Sequence, residues 1–211
     1  MANPDTQEIK TAALFLNGEA PNTFAIHAAM DFQPEYILCT DGAFNYMNQI
    51  GIQPDCIIGD MDSLHEVPRD TPIQFIDDQD TTDFEKALYF LAQNDYKRIV
   101  VLGSTGGQND HFLGNLNAAY KYRKTAEILF FDNEQHFFLT ESFVDFLTEP
   151  GKVVSLFPFP SAHVVSMRGL KYTLSNASLD IRERVGTRNI ATDSQIQIEL
   201  SSGALWIFVT Y

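Results

Sequence analysis

Short apolar runs rich in β-branched residues recur through the first two thirds of the chain, at residues 12–16, 36–39, 56–58, 73–76, 99–102 and 128–131. Runs this short and this uniformly apolar suit strands covered on both faces. The stretches between them carry helical spacing. In DFEKALYFLAQ, Phe84, Ala87, Leu88 and Leu91 fall on one helical face, and Thr82 followed three residues later by Glu85 has the pattern of a capping box. Phe112, Leu116, Ala119 and Tyr120 mark a second helix opening near Asp110. Strands that alternate with helices are joined by crossovers, and crossovers make them parallel. Residues 1–135 therefore read as one mainly parallel α/β domain in which each of the six runs is a buried strand.

Beyond residue 135 the helical spacing disappears. Strand-like segments follow one another at 136–140, 152–159, 163–167, 170–174, 194–200 and 204–210. Ile196, Ile198 and Leu200 alternate with Gln195, Gln197 and Glu199, the period of an antiparallel strand with one wet face. Turn residues separate the segments, most clearly Glu149-Pro150-Gly151 and next Ser201-Ser202-Gly203. Residues 136–211 read as an antiparallel β-sandwich domain. The chain is 45% hydrophobic, with 17 Phe and 8 Tyr, which is enough for a sizeable core, and Trp206 is expected in that core or at an interface.

The opening MANPDTQEIK has neither the basic nor the apolar stretch of a secretory leader, and no apolar run is long enough to cross a membrane, so neither is expected. Cys39 and Cys56 lie in or beside apolar runs without zinc or redox spacing. Reduced, buried thiols and a cytoplasmic location are the expectation. With 28 acidic against 14 basic side chains the net charge is −14, which repels phosphate backbones and anionic membranes. Nucleic acid and membrane are thus excluded as expected partners, and a nucleotide ligand would need metal ions.

The acid is concentrated. Residues 41–83 hold ten acidic side chains and one basic one, Arg69. Asp41 follows one apolar run, Asp60 and Asp62 follow the next, and Asp78, Asp80 and Asp83 follow a third. In an open parallel sheet the carboxyl ends of such strands share one edge, where ligands bind. Carboxylates gathered there repel one another unless cations sit between them. Asp60-x-Asp62 suits a hard, oxygen-seeking ion such as Mg²⁺, which takes substrate phosphate oxygens among its ligands. Asp83 also has a simpler reading, as an acidic residue in the first turn of its helix.

The run 99–102 leads into Gly103-Ser104-Thr105-Gly106-Gly107-Gln108-Asn109-Asp110-His111. Glycines between a strand and a helix let backbone N–H groups approach a phosphate, and the helix N-terminus beyond favours negative charge. Neither the Walker A nor the dinucleotide G-x-G-x-x-G spacing is present, so the segment reads equally as a tight turn, with Asp110 as an N-cap. No nucleophile elbow and no H-E-x-x-H occurs. Phosphoryl chemistry by metal ions and positioning is what remains.

Four blocks taken together resemble the thiamine pyrophosphokinase family: Asp41-Gly42-Ala43; Pro54 through Ser63, reading PDCIIGDMDS; Asp78 through Leu88, reading DQDTTDFEKAL; and Gly106-Gly107-Gln108-Asn109-Asp110-His111. The likeness continues more weakly through Gly169-Leu170-Lys171-Tyr172 and Leu205-Trp206. The resemblance implies a Rossmann-like α/β domain that binds ATP and Mg²⁺, followed by a β-sandwich that contributes to thiamine binding and dimerisation. It implies a homodimer with thiamine near the subunit interface, and transfer of the pyrophosphoryl group of ATP to the thiamine hydroxyl with release of AMP. Carried over by motif, Asp60, Asp62 and Asp83 would hold Mg²⁺, and Asp41 or Asp110 would orient or deprotonate the alcohol. Ser63, Gln79, Thr82, Lys86, Gly103, Ser104, Thr105, Gly106, Gly107 and Gln108 would contact ATP or its phosphates. Asp78, Asp80, Thr187 and Asn189 would contact thiamine.

Two departures from the family pattern stand out. Gln108 occupies the place where the family usually has Arg, so phosphate charge would be met elsewhere, for instance by Lys86. The run Val185-Gly186-Thr187-Arg188-Asn189 replaces a Ser-Asn-containing stretch, and only Asn189 and Thr187 fit it. An Mg²⁺-dependent hydrolase of nucleotides or phosphate esters, and a non-catalytic nucleotide- or thiamine-binding module, accommodate the same acidic cluster.

Overall fold

All five residues of the first strand, β1 (Thr11–Phe15), are buried, as a strand covered on both faces requires. The computed structural model describes residues 9–66 and 68–211; most of the opening segment read above for a leader lies outside them. The chain divides into two compact units, Met1–Asn133 and Glu134–Tyr211.

In the first unit β1 is followed by helix α1 (Thr23–Met30), strand β2 (Tyr36–Thr40), helix α2 (Asp41–Ile50), strands β3 (Cys56–Gly59) and β4 (Ile73–Phe75), helix α3 (Asp83–Gln93), strand β5 (Arg98–Leu102), helix α4 (Asn109–Tyr122) and strand β6 (Glu127–Phe131). The strands run in the order β6-β5-β1-β2-β3-β4, and every pairing is parallel. Phe15 lies opposite Cys39 on one side and Leu102 on the other, so β1, β2 and β5 end nearly level. Cys39 and Cys56 are free thiols, both buried. Five runs form strands buried along most of their length. The sixth, β4, does not: all three of its residues are exposed, Phe75 by 57%. It is the last strand in the order, with one neighbour instead of two, so its apolar sequence has no second strand to cover it.

Helix α3 starts as its sequence predicts, with the Thr82 hydroxyl accepting the Glu85 N–H at 3.2 Å. The Glu85 carboxylate reaches away from the cap and pairs with Lys121 of α4 at 2.6 Å. Helix α4 opens at Asn109 with Gln108 in the cap position, which places Asp110 in the first turn and not at the cap.

The second unit contains β7 (Gln135–Thr140), β8 (Val144–Leu147), β9 (Val153–Arg168), β10 (Ser175–Asp180), β11 (Gly186–Ile190) and β12 (Gln195–Thr210). Its strands follow the order β10-β9-β12-β7, with β11 against β9 and β8 against β12, all antiparallel. Three expectations are corrected here. Segments 152–159 and 163–167 form one 16-residue strand, β9. Segments 194–200 and 204–210 likewise join into β12, and Ser201-Ser202-Gly203 is an irregularity of register inside it, not a turn. Pairing between β9 and β12 along their length overrides the local turn chemistry. The third is segment 170–174, which makes only an isolated bridge, Leu170 to Ala191. The backbone N–H and C=O of Tyr172 within it are held by the side chain of Asn189, at 3.0 and 2.7 Å, in place of a neighbouring strand.

Residues alternating along β12 point to two sides. Ile196, Ile198, Leu205, Ile207 and Val209 join Val154, Leu156, Val164 and Leu179 in one buried cluster. Trp206, fully buried, meets Phe137 edge-on at 6.1 Å and Phe159 at 6.5 Å. In the first unit, replacing the fully buried Leu14 by Ala leaves a cavity in the core beside β1. The expected cost is about 2–5 kcal/mol, read as a lowered urea midpoint with unchanged slope.

Candidate active site

Parallel strands put their carboxyl ends on one edge, and the segments leaving β1, β2, β3 and β5 at that edge carry the acidic and glycine-rich motifs. A cavity of about 630 Å³ opens there. Asp60, Asp62, Asp78, Asp83 and Asp110 line it, with Lys86 as the one Lys or Arg among its lining residues.

Asp41 begins α2 directly after β2 and is 1% exposed. It stands against the wall of the site without lining the cavity. One carboxylate oxygen accepts the Gly42 N–H at 2.7 Å and the other the Ser63 N–H at 3.4 Å. Gly59, at φ +148°, makes room for it, because a Cβ there would lie 3.1 Å from the Asp41 carboxyl carbon. Burial pushes the Asp41 carboxyl above the usual carboxylate range, and the charges of Asp83 and Asp60 add to that against the two N–H groups. Asp60 is held below that range by hydrogen bonds from the Asp62 N–H and from Nε2 of Gln79, at 3.3 and 3.2 Å. Ser63 donates its hydroxyl to Asp62 at 2.9 Å. The carboxylates of Asp41, Asp60 and Asp62 each offer an oxygen within 4.8 Å of the others. Such a set of oxygen donors fits a hard divalent cation.

Lys86 is buried and its Nζ lies 2.9 Å from Asp83. Burial alone would lower its pKa, but the hydrogen bond and charge of Asp83, with Asp60 and Asp78 behind, raise it above the ordinary lysine value. The ammonium is therefore locked into the carboxylate cluster. Asp78 accepts from the Thr81 hydroxyl at 2.5 Å and the Asp80 N–H at 2.9 Å, which closes residues 78–81 into a local turn. Thr82 caps α3 while lining the cavity. Asp80 and Gly106 are exposed and lie off the cavity wall.

The segment after β5 is braced by the segment after β1. Gly18 N–H donates to Gly103 O at 2.8 Å and Glu19 N–H to Thr105 O at 2.7 Å. A Cβ on Gly18 would run into both carbonyl oxygens, so only glycine permits this approach. Asn115 of α4 donates to Ser104 O at 3.0 Å, and the Tyr46 hydroxyl to Leu16 O at 2.8 Å. Gly103, Ser104, Thr105, Gly107 and Gln108 line the cavity, and Asp110, exposed, lines it too.

Thr187 and Asn189 belong to the second unit. Thr187 is exposed, whereas Asn189 is buried, its carbonyl oxygen accepting from Tyr172 and Ile190 N–H and its amide donating to Tyr172 O. That side chain is engaged by backbone and retains one free amide hydrogen.

Two family models match this chain in succession: the thiamin pyrophosphokinase catalytic domain over residues 32–130 and the thiamin pyrophosphokinase vitamin B1 binding domain over residues 144–205. The chain belongs to the thiamine pyrophosphokinase family. Thiamine pyrophosphokinase 1 of Oryza sativa is 30% identical over 173 residues, covering 73% of this chain and 65% of the rice protein. The enzyme of Bacillus subtilis is 28% identical over 166 residues, or 74% of this chain and 78% of that one. The chain thus spans about two thirds of the length of its plant relatives. Among solved structures, thiamine pyrophosphokinase from Bacillus subtilis superposes with a TM-score of 0.82 at 23% identity, covering 95% of this chain and 99% of that one. The Candida albicans protein does so with a TM-score of 0.81 at 17% identity, covering 96% and 89%. Their likeness establishes the mixed α/β fold with its large sheet.

Residues outside the charged motifs hold the acidic loop of this chain in place. Asn45, one helical turn beyond Asp41, donates from Nδ2 to Ser63 O at 2.8 Å and accepts the His65 N–H at 3.0 Å. Its i+4 spacing from Asp41 was the available signal. Asn17 and Gly18 line the cavity without any charge or motif to mark them; only the rule that strand ends carry the site would have found them. Asn45→Ala removes both clamps on residues 63–65. Faster amide hydrogen exchange confined to residues 60–66 is expected, with a stability loss of about 1–3 kcal/mol.

Proposed function

We propose that this chain transfers the pyrophosphoryl group of ATP to the hydroxyl of thiamine, yielding thiamine diphosphate and AMP. The observation that carries the reading is the convergence of Asp41, Asp60 and Asp62 within 4.8 Å at the sheet edge, inside a chain matched along most of its length by the two domain models of one family. The family uses ATP and thiamine as small-molecule substrates.

Asp60 and Asp62, with Asp83 beside them, would hold Mg²⁺, and Asp41 supports the same cluster from beneath. When bound, Mg²⁺ neutralises the polyphosphate and the charge that develops on the oxygen leaving with AMP. Lys86 keeps the carboxylates from repelling one another apart, and backbone N–H groups of the 103–107 segment would meet the anion. Asp110, exposed on the cavity wall, is the carboxylate we assign to orient the thiamine hydroxyl and take its proton as that oxygen attacks the β-phosphorus. The bond between the β-phosphorus and the α–β bridging oxygen breaks, and AMP departs. Carboxylates left without a metal favour the cationic thiazolium of thiamine. The Gln108 side chain supplies no charge, so metal and backbone would carry what the family's arginine usually does.

Further parts of the reading are a Rossmann-like first domain, a β-sandwich second domain that contributes to thiamine binding through Thr187 and the remaining Asn189 amide hydrogen, a homodimer and a cytoplasmic location. The parallel strand order supports the Rossmann-like description of the first unit, and the antiparallel order supports an all-β second unit. Among the described residues no helix is long and apolar enough to cross a membrane.

The test is a coupled assay for AMP with Mg²⁺-ATP and, in turn, thiamine, hydroxymethylpyrimidine, hydroxyethylthiazole and no acceptor. AMP with thiamine alone is expected, abolished by EDTA and reduced about 100-fold or more by Asp62→Asn, since a bound metal supplies several kcal/mol of charge stabilisation. Absence of AMP with every acceptor, or phosphate release without one, would overturn the reading. Light scattering is expected to give twice the 23.8 kDa chain mass, and a monomer at assay concentrations would remove the dimer.

A further inference from the structure

Two hydroxyls at the cavity are buried and without a hydrogen-bond partner. Thr40, at the end of β2, is 3% exposed, and Ser104, two residues beyond the end of β5, is 4% exposed; neither Oγ atom has a partner. Both residues line the cavity. A buried hydroxyl left unpaired is costly, and most such groups are satisfied within the fold.

Thr40 makes the point most sharply. It occupies the N-cap of α2, where a threonine oxygen ordinarily accepts an N–H of the first turn, yet it makes no capping bond. The Gly42 N–H goes instead to Asp41. The Thr40 oxygen is thus released from its local task, buried within a residue that lines an acidic cavity. Ser104 is similar, since its backbone C=O is taken by Asn115 while its hydroxyl is not used.

The chemistry of the wall says what these groups meet. Five carboxylates line the cavity, and the single ammonium, Lys86, is committed to Asp83 at 2.9 Å. A polyphosphate entering there presents anionic oxygens, and neutral donors that the fold has not used are the groups able to hold them directly. We propose that the Thr40 hydroxyl, alongside that of Ser104 already read as an ATP contact, donates a hydrogen bond to an oxygen of the ATP polyphosphate, Thr40 being a binding residue of the donor site. The inference rests on the ATP-dependent reading above. Thr40 ends β2 and Ser104 follows β5, the two strands that flank β1 on opposite sides. The two hydroxyls contact different oxygens and act independently.

The test measures binding of Mg²⁺ with α,β-methylene-ATP, which cannot react, by calorimetry, beside thermal melting of the ligand-free protein. Thr40→Val keeps the shape and removes the hydroxyl. It is expected to melt no lower than the wild type, because an unpaired buried group is lost, while binding the analogue about 5–10-fold more weakly. Ser104→Ala should weaken it similarly, and the double variant by about the product of the two. Thr40→Ser should restore affinity to within about twofold of the wild type, and in turnover Thr40→Val should raise KM for ATP without raising that for thiamine. A Thr40→Val protein that melts normally and binds the analogue as tightly as the wild type overturns the hydroxyl assignment alone. Wild-type protein that does not bind the analogue overturns the ATP reading and this inference with it.

Discussion

The parallel hydrogen-bonded register of β5, β1, β2 and β3 is the constraint from which the site follows. Because Phe15 is level with both Cys39 and Leu102, the chain must leave these strands at nearly the same height on the same edge. Residues far apart in sequence, from Asn17 to Asn115, are thereby delivered to one cavity. Strands covered on both sides tolerate little slippage, since moving a fully buried run such as Thr11–Phe15 by one residue would expose apolar side chains and carry the loops with it.

Such an edge concentrates like charge, and the structure manages it without neutralising it. Backbone N–H groups of Gly42, Asp62 and Ser63 and the amide of Gln79 hold Asp41 and Asp60. One buried ammonium, Lys86, is anchored by Asp83. These interactions fix the carboxylates in place but leave an excess of negative charge facing the cavity, which is the state a divalent cation is suited to complete. The two unpaired hydroxyls belong to the same pattern: groups kept in position by the fold and left unsatisfied by it.

Much of this was legible from residue patterns. The helix at 83–93 could be placed from its cap and apolar face, and the acidic motifs from their position after strand-like runs. Less legible were features decided by neighbours. The apolar run at 73–76 was expected to be buried, but as β4 it lies at the edge with one partner. Segments 194–200 and 204–210, separated in sequence by Ser-Ser-Gly, became one strand because β9 pairs along both. Asn189, matched to a ligand-binding position, is turned inward to hold Tyr172. Asn45 and Thr40 carried no charge or motif strong enough to draw notice, since their roles depend on what lies across from them in space.

The amino-acid sequence by itself determined the succession of elements in the first unit, the two free thiols, the placement of acid after strands and the family to which the chain belongs, because these depend on local periodicity, composition and short motifs. Tertiary structure alone decided which strand stood at an edge, where a turn-like segment was drawn into a strand, which carboxylates came within reach of one ion, and which hydroxyls lost their local partners. Those outcomes are set by contacts between residues distant in the chain, and the energy of such a contact depends on its surroundings, which no short window of sequence contains.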